Sequence, residues 1–384
     1  MSLSSKTSAP KLLWGLLLAG AAGAAAVYAV EGPARFWANW LFVLLLLTTT
    51  GLGSLFMVAL DRLVGATWSV PVRRVPERLA SLLLLAAPAC LVYLLALPVL
   101  YPWTRPEEAH RAYVAAKAPW LNVPFFSTRM LLCAVLWMLS YRILVHGSLR
   151  QDQTKDPAFT LTARRFAPLF MVIFAFTITL VAFDWISSLE PEWYSDIFGV
   201  YLFAGSFLAG LAATSLGVLH LRRRNRLAGV GPDHLYNLGG LLFAFTVFWS
   251  YIGFAQYMLI WYADLPEEVS WYKLRIEGPW LPVALLLALL HFVVPFFVLV
   301  ARDAKGDPKV LGRVAALVLG AHALDMYWLV FPSLRKGVTF GWPEVSFLLL
   351  AAGAGLLWAR RSMSLGADMP VGDPLLREGL EFRL

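Results

Sequence analysis

Two histidines and an aspartate stand inside apolar runs of the sequence: His291 in "LLHFVVPFF", and His322 and Asp325 in "GAHALDMYW". A second aspartate, Asp184, ends another run in "FDWISSLEPEWYSDIFG". Imidazole titrates near neutrality and can pass a proton between its two nitrogens. The chemistry these four residues could do is proton transfer. An ionisable group in hydrocarbon is costly, which makes each a functional candidate by default. The plainer role is a hydrogen bond to a neighbouring helix.

Depth can be read from the runs. The eighth enters from one face near residue 280, so His291 lies about 16 Å down at the α-helical rise. The ninth enters from the opposite face near 311, so His322 lies about 16 Å up. The two imidazoles are expected at similar depth on consecutive antiparallel helices. Asp325 is three residues past His322 on the same helix face, and Asp184 is nearer the outer surface still. Gln256, Tyr257, Thr177 and Thr179 add amide and hydroxyl groups. Arg129 is placed to pair with Asp184 or to snorkel. A quinone headgroup needs an acid or His near each carbonyl and an apolar slot. Asp184 beside Trp185 and Tyr257 could supply one, with Gln256 and Arg129 as polar support. The other half of the membrane is poorer, since Arg142, His146 and His220 are expected to snorkel. His110 reads as an ordinary surface residue.

The elements that must hold these groups follow from composition. The chain has 384 residues, 59% hydrophobic and 15% charged, with mean hydropathy +0.67. Soluble domains are nearer 45–50% apolar and about 25% charged. A span needs roughly 20 apolar residues. Ten such runs occur, at 11–30, 37–60, 79–101, 126–147, 166–188, 197–220, 238–262, 280–301, 311–331 and 342–359. They lack the alternation of barrel strands. The expected fold is an all-α integral membrane protein of about ten transmembrane helices. The first run exceeds the apolar core of a signal peptide, about 7–15 residues, and is expected to be a retained helix. Cys90 and Cys133 lie in separate runs as apolar fillers. No nucleotide or metal motif is present (GxGxxG, GKS/GKT, HExxH or CxxC). No catalytic residue, metal or cofactor is assigned to this chain itself.

Orientation comes from charge. With both termini on one side, that side holds 23 of the 32 Lys and Arg residues, Lys6, Arg62, Arg73, Arg74 and Arg78 among them. The positive-inside rule makes it cytoplasmic. The net charge of +8 then signals topology rather than nucleic-acid binding, and "LRRRNR" (221–226) is a solvated run. The opposite face carries Glu107, Glu108, Glu190, Glu192, Asp196, Asp264, Glu267, Glu268, Glu277 and Glu344. Trp185, Trp193 and Tyr194 are expected there at headgroup depth. This acidic, aromatic face suits an extramembrane partner.

A weak repeat relates two halves. "RQDQTKDP" (150–157) joins helices four and five, and "RDAKGDP" (302–308) joins helices eight and nine. "FDW" and "LDMYW" follow with Asp184 and Asp325. Helices two to five and six to nine would form two four-helix bundles. The boundaries would be 1–36 for an N-terminal flanking helix, 37–190 and 191–332 for the bundles, and 333–384 for a C-terminal flanking helix and tail. Pro88, Pro98 and Pro295 are expected to kink their helices.

The strings "FDWISSLEPEWYSDIFGVYLFAGSF", "GGLLFAFTVFWSYIGFAQYMLIWYADLPEE" and "HALDMYWLVFP" resemble the ActF-type subunits of bacterial alternative complex III, within the NrfD-like, polysulfide-reductase-type membrane proteins. The likeness is strongest over 166–332. It implies two four-helix bundles with flanking helices, in a quinol:electron-acceptor oxidoreductase of the bacterial inner membrane. It implies an ActC-type sister subunit, and multihaem cytochrome c and iron–sulfur subunits that carry haem c and the clusters. This chain would brace the complex and offer a proton path, with a quinone site as a second role, without being catalytic itself. Asp184, His291, His322 and Asp325 match the family's intramembrane polar positions. A stand-alone proton-coupled secondary transporter is the competing reading. The repeats argue against it, because helices five and nine run in the same direction, whereas many transporter repeats are inverted.

Overall fold

The structure is a computed structural model and describes residues 9–107, 111–335, 337–364 and 366–384. Lys6, Glu108 and His110 of the sequence reading lie outside the described residues. Ten helices are long and apolar enough to cross a membrane: α1 (Lys11–Val30), α2 (Pro33–Val64), α3 (Val70–Leu100), α4 (Val123–Thr154), α5 (Ala158–Leu189), α6 (Phe198–Arg223), α7 (Pro232–Ala263), α8 (Gly278–Leu299), α9 (Pro308–Leu334) and α10 (Trp342–Ser362). No strand occurs among the described residues. The chain is an all-α, multi-pass membrane protein, as its composition demands.

The apolar side chains face both ways. On α5, Leu161, Leu169, Val172 and Phe176 are all more than half exposed. On α7, Tyr251, Phe254, Met258 and Trp261 form a similar outward stripe. Their spacing is helical, so each is one continuous apolar face turned toward lipid. A soluble protein could not leave such faces in water.

α2 packs against α3, α5, α6 and α9, and α6 packs against α5, α7 and α9 as well, so α2 and α6 form the centre of the helix assembly. α1 runs along α10, and both flank α2. The α2–α6 crossing is close because glycine permits it. A Cβ on Gly53 would strike the Ser206 carbonyl, and one on Gly210 would strike the Gly53 backbone. Small residues at a crossing are the usual way membrane helices approach.

The two "DP" junctions have a local cause. Asp156 accepts from the Ala158 N–H at 2.8 Å. Asp307 accepts from the N–H groups of Lys309 and Val310 at 2.6 and 3.0 Å. An acid cap followed by proline is a helix-start signal, so this part of the repeat reports how α5 and α9 begin. The aspartates further along are out of step. Asp184 is 27 residues past Pro157, and Asp325 is 17 past Pro308, which separates their depths by about 15 Å.

Three helices contain a π-helical turn, at Arg142–His146, Ala182–Ile186 and Leu289–Val293. The second holds Asp184 and the third His291. Such turns carry one extra residue and are frequent at functional sites. In α8 the cause is nearby: Pro295 has no N–H to give the carbonyl of residue 291, four positions back. Pro88 lies within a helical stretch that continues as a 3₁₀ turn at Leu94–Ala96.

At the basic end, arginines counted above as orientation signal have a second role. Arg62, Arg73, Arg74 and Arg78 are buried. Asp373 of the C-terminal tail accepts from Arg62 at 2.8 Å and Arg73 at 2.6 Å. Asp368 pairs with Arg78 at 2.9 Å and Arg226 at 2.6 Å. Arg74 is bound by Glu77 and Asp152. The His234 Nε2–H donates to the Gly379 carbonyl at 2.9 Å. The tail is therefore strapped across this end of the bundle. "LRRRNR" keeps most of its charge at the surface, with Arg223, Arg224 and Arg226 exposed, as do Arg164, Arg165, Arg360 and Arg361.

Burial alone would push the Asp373 carboxyl up, but the Arg73 and Arg62 guanidiniums hold it below the usual carboxylate range. A carboxylate held low contributes stability that is full above its unfolded value, about 3.9. That contribution is lost as pH falls through the lower folded value. The strap should resist proteolysis at pH 5 and loosen only in acid below about pH 4. Asp373→Asn should loosen it at neutral pH. Limited proteolysis of residues 366–384 checks both.

Candidate functional site

Three of the four nominated residues come together where α9 packs against α2, α6 and α8. His322 and Asp325 on α9 and His291 on α8 have no exposed surface. The His322 Nε2 lies 2.8 Å from the Thr49 hydroxyl on α2. That hydroxyl gives its own proton to the Leu45 carbonyl at 2.7 Å. It must therefore accept from an Nε2–H, since it has one proton to give. This leaves the His322 Nδ1 as a bare acceptor with no partner.

Asp325 Oδ1 accepts from the Tyr201 hydroxyl of α6 at 2.6 Å. Its Oδ2 has no partner, and neither do the two nitrogens of His291. The His291 ring lies 4.2 Å from the Trp249 ring and 6.3 Å from the His322 ring, centroid to centroid. Gly205 on α6 floors the group. A Cβ there would stand 3.5 Å from Trp249 and 3.6 Å from both Asp325 Oδ2 and His322. Buried polar atoms are normally satisfied. Here several orphaned acceptors and donors converge on one place, with no arginine or lysine among these contacts.

Asp184 lies elsewhere, on α5. Its two oxygens accept from Arg129 Nε at 2.7 Å and Nη2 at 2.9 Å. The Trp120 indole N–H adds a third bond at 3.1 Å. The guanidinium stacks 4.1 Å from the Trp120 ring and 4.3 Å from Phe125. Of the two options for Arg129, pairing is the one the structure adopts. Forked Arg–carboxylate geometry is the strongest form of such a pair. The π-helical turn of α5 holds Asp184, which points inward, and the Asp184 carbonyl accepts from the Ser188 hydroxyl.

The remaining candidates divide. Trp185 packs against Tyr93 and Trp137, and its carbonyl accepts from the Tyr101 hydroxyl at 3.0 Å. Thr177 accepts from the Trp137 indole at 3.0 Å. Tyr257 packs edge-on against Tyr272 of the helix Pro266–Ile276, and Gln256, also on α7, faces the same tyrosine. Asp184 and Arg129 pair with each other, Trp185 packs behind them on Tyr93 and Trp137, and Gln256 and Tyr257 both face Tyr272. Arg142, His146 and His220 are exposed, as snorkelling groups would be. Among the described residues no three of His, Cys, Asp and Glu are gathered to hold a metal ion.

Two expectations about the acidic face change. Trp185 and Trp193 are buried in interior packing rather than facing headgroups, and only Tyr194 is exposed. Glu344 is buried against Arg35 at 2.9 Å. Glu190 joins Arg275 at 2.9 Å and also binds Ser333. Burial lowers Arg275 while Glu190 opposes that shift. These two acids hold helices together, while Glu107, Glu192, Asp196, Asp264, Glu267 and Glu277 of the same face are exposed.

Sequence reasoning missed Thr49, Tyr201, Trp249 and Gly205. The triple threonine at 48–50 is a polar signal in an apolar run. Tyr201 and Trp249 look like any membrane aromatic until α9 is placed beside them. No protein-family model matches the chain, and no curated protein matches it.

Breaking a buried pair strands a charge and costs about 3–5 kcal/mol, whereas replacing both members by apolar residues is often neutral. Arg129→Met should lower the unfolding midpoint in detergent markedly. The double change Arg129→Met with Asp184→Leu should recover most of the loss.

Proposed function

We propose that the chain is an integral-membrane subunit of a quinol-oxidising respiratory complex of the alternative complex III type. It would brace that complex and offer a proton path through His291, His322 and Asp325. The observation that carries this is the meeting of three buried ionisable groups, with unpartnered atoms, where α9 packs against α2, α6 and α8. The strings around Asp184, Trp249 and Asp325 support the family reading. The basic end would face the cytoplasm of a bacterial inner membrane, and the acidic end would meet the electron-carrying partners.

The chemistry follows from the atoms. Asp325 can hold a proton on Oδ2 while Tyr201 donates to Oδ1. His322 can receive one on Nδ1 and release the other from Nε2 toward Thr49. His291 can accept on either nitrogen, and Trp249 orients its ring. No hydrogen bond joins the two imidazoles, so transfer between them would use a bridging water. Haem c and iron–sulfur clusters would belong to partner subunits. Asp184, locked by Arg129, would be a brace between α4 and α5 and not a relay member. No step is routed through a quinone in this chain.

Asp325→Asn keeps the shape and the Tyr201 contact but removes the titrating proton. In the reconstituted complex it should slow proton release about tenfold or more, a modest part of the effect of losing an acid–base group. The haem spectrum should be unchanged. Tyr201→Phe should have a smaller effect in the same direction. Wild-type rates of both quinol turnover and proton release in Asp325→Asn would refute the relay.

A further inference from the structure

A different part of the surface carries a second site. At the basic end a cleft of about 470 Å³ opens between α6 and α9. Its rim is formed by Arg223 and His220 at the end of α6, and by Lys309 and Arg313 at the start of α9. Its floor is Leu216, Leu219, Gly312 and Ala316. All four rim residues are exposed. Among the described residues no side-chain hydrogen bond or ion pair engages Arg223, Lys309 or Arg313. The nearby acid, Asp307, is occupied with the N–H groups of Lys309 and Val310. Three of the four, Arg223, Lys309 and Arg313, make the rim a cluster of fixed positive charge at the level where two spans end.

The floor continues into the membrane. Gly312, Ala316 and Gly320 repeat every four residues along α9, and a Cβ on Gly320 would meet nothing within 4 Å. At Gly312 the surface closes on Leu219, which a Cβ there would meet at 3.2 Å. Below it the exposed Ala316 and Gly320 leave a low apolar strip along α9 that leads from the cations toward the hydrocarbon.

We propose that this cleft binds an anionic phospholipid, with its phosphate held by Arg223 and Arg313 and one acyl chain lying along Gly312, Ala316 and Gly320. Arginine presents a planar fork that suits phosphate oxygens. Basic clefts between helices at the positively charged end of a membrane protein match anionic headgroups. Charge at the mouth and small residues below fit one amphiphile of that shape. A free phosphate would use the rim and ignore the strip.

The test uses the full chain purified in detergent, titrated separately with phosphatidylglycerol, phosphatidylcholine and inorganic phosphate. Binding is read by native mass spectrometry and by the unfolding midpoint. Phosphatidylglycerol should be retained and should raise the midpoint, and phosphatidylcholine should do neither. Arg223→Gln with Arg313→Gln should weaken phosphatidylglycerol about thirtyfold, at about 1 kcal/mol for each basic residue. Ala316→Trp keeps every charge but obstructs the strip, and it should weaken the lipid as well. Equal binding of the two lipids would overturn the proposal, and so would unchanged phosphatidylglycerol binding in both variants. Stabilisation by inorganic phosphate that matches the lipid and survives Ala316→Trp would show a simple anion site and also overturn it.

Discussion

A charge held away from water must be matched inside the protein, and this rule organises the molecule. Arg129 answers Asp184, Arg35 answers Glu344, and Arg275 answers Glu190. At the basic end two arginines share Asp373. Each pair also joins segments far apart in sequence, so the charges fix which helices sit side by side. Such pairs add little net stability over a well-packed apolar alternative, but losing one partner is severe. Against that background Asp325 is the exception. Its contact is a tyrosine hydroxyl, and its neighbours are two histidines without countercharges. The group that the architecture leaves unmatched is the group assigned a proton to carry.

Backbone irregularity and buried chemistry coincide. The π-helical turns of α5 and α8 contain Asp184 and His291. An extra residue in a turn rotates the side chains beyond it and frees a carbonyl. In α5 the Ser188 hydroxyl takes up that carbonyl, and in α8 the loss follows from Pro295. The same device thus aims one residue at an arginine and the other at a histidine. The glycine-mediated approach of α2 to α6 completes the arrangement, because it brings Thr49 within reach of His322.

Much of the fold was legible in the sequence. Spans are set by length and hydropathy, which are local properties, so all ten runs correspond to helices. The depth argument placed His291 and His322 on adjacent helices near each other, since rise per residue is fixed. It could not say that Asp184 belongs to a separate group, because that depends on packing around α4. Tyr201 lies 124 positions from Asp325, and nothing local marks one for the other. The buried arginines at the basic end were read only as topology, since the tail that satisfies them lies about 300 residues away. Periodicity reveals faces, whereas partners across a bundle emerge from tertiary packing.

As proposed above, this chain would be one part of a redox assembly, with Asp325 as its proton carrier. The most direct measurement is purification in mild detergent through a tag on this chain, followed by a visible spectrum and a quinol-oxidation assay on the same fraction. The account predicts haem absorbance, co-migrating subunits and quinol oxidation. A colourless, solitary protein that stays stable and folded through the same purification, with no quinol activity, would contradict it.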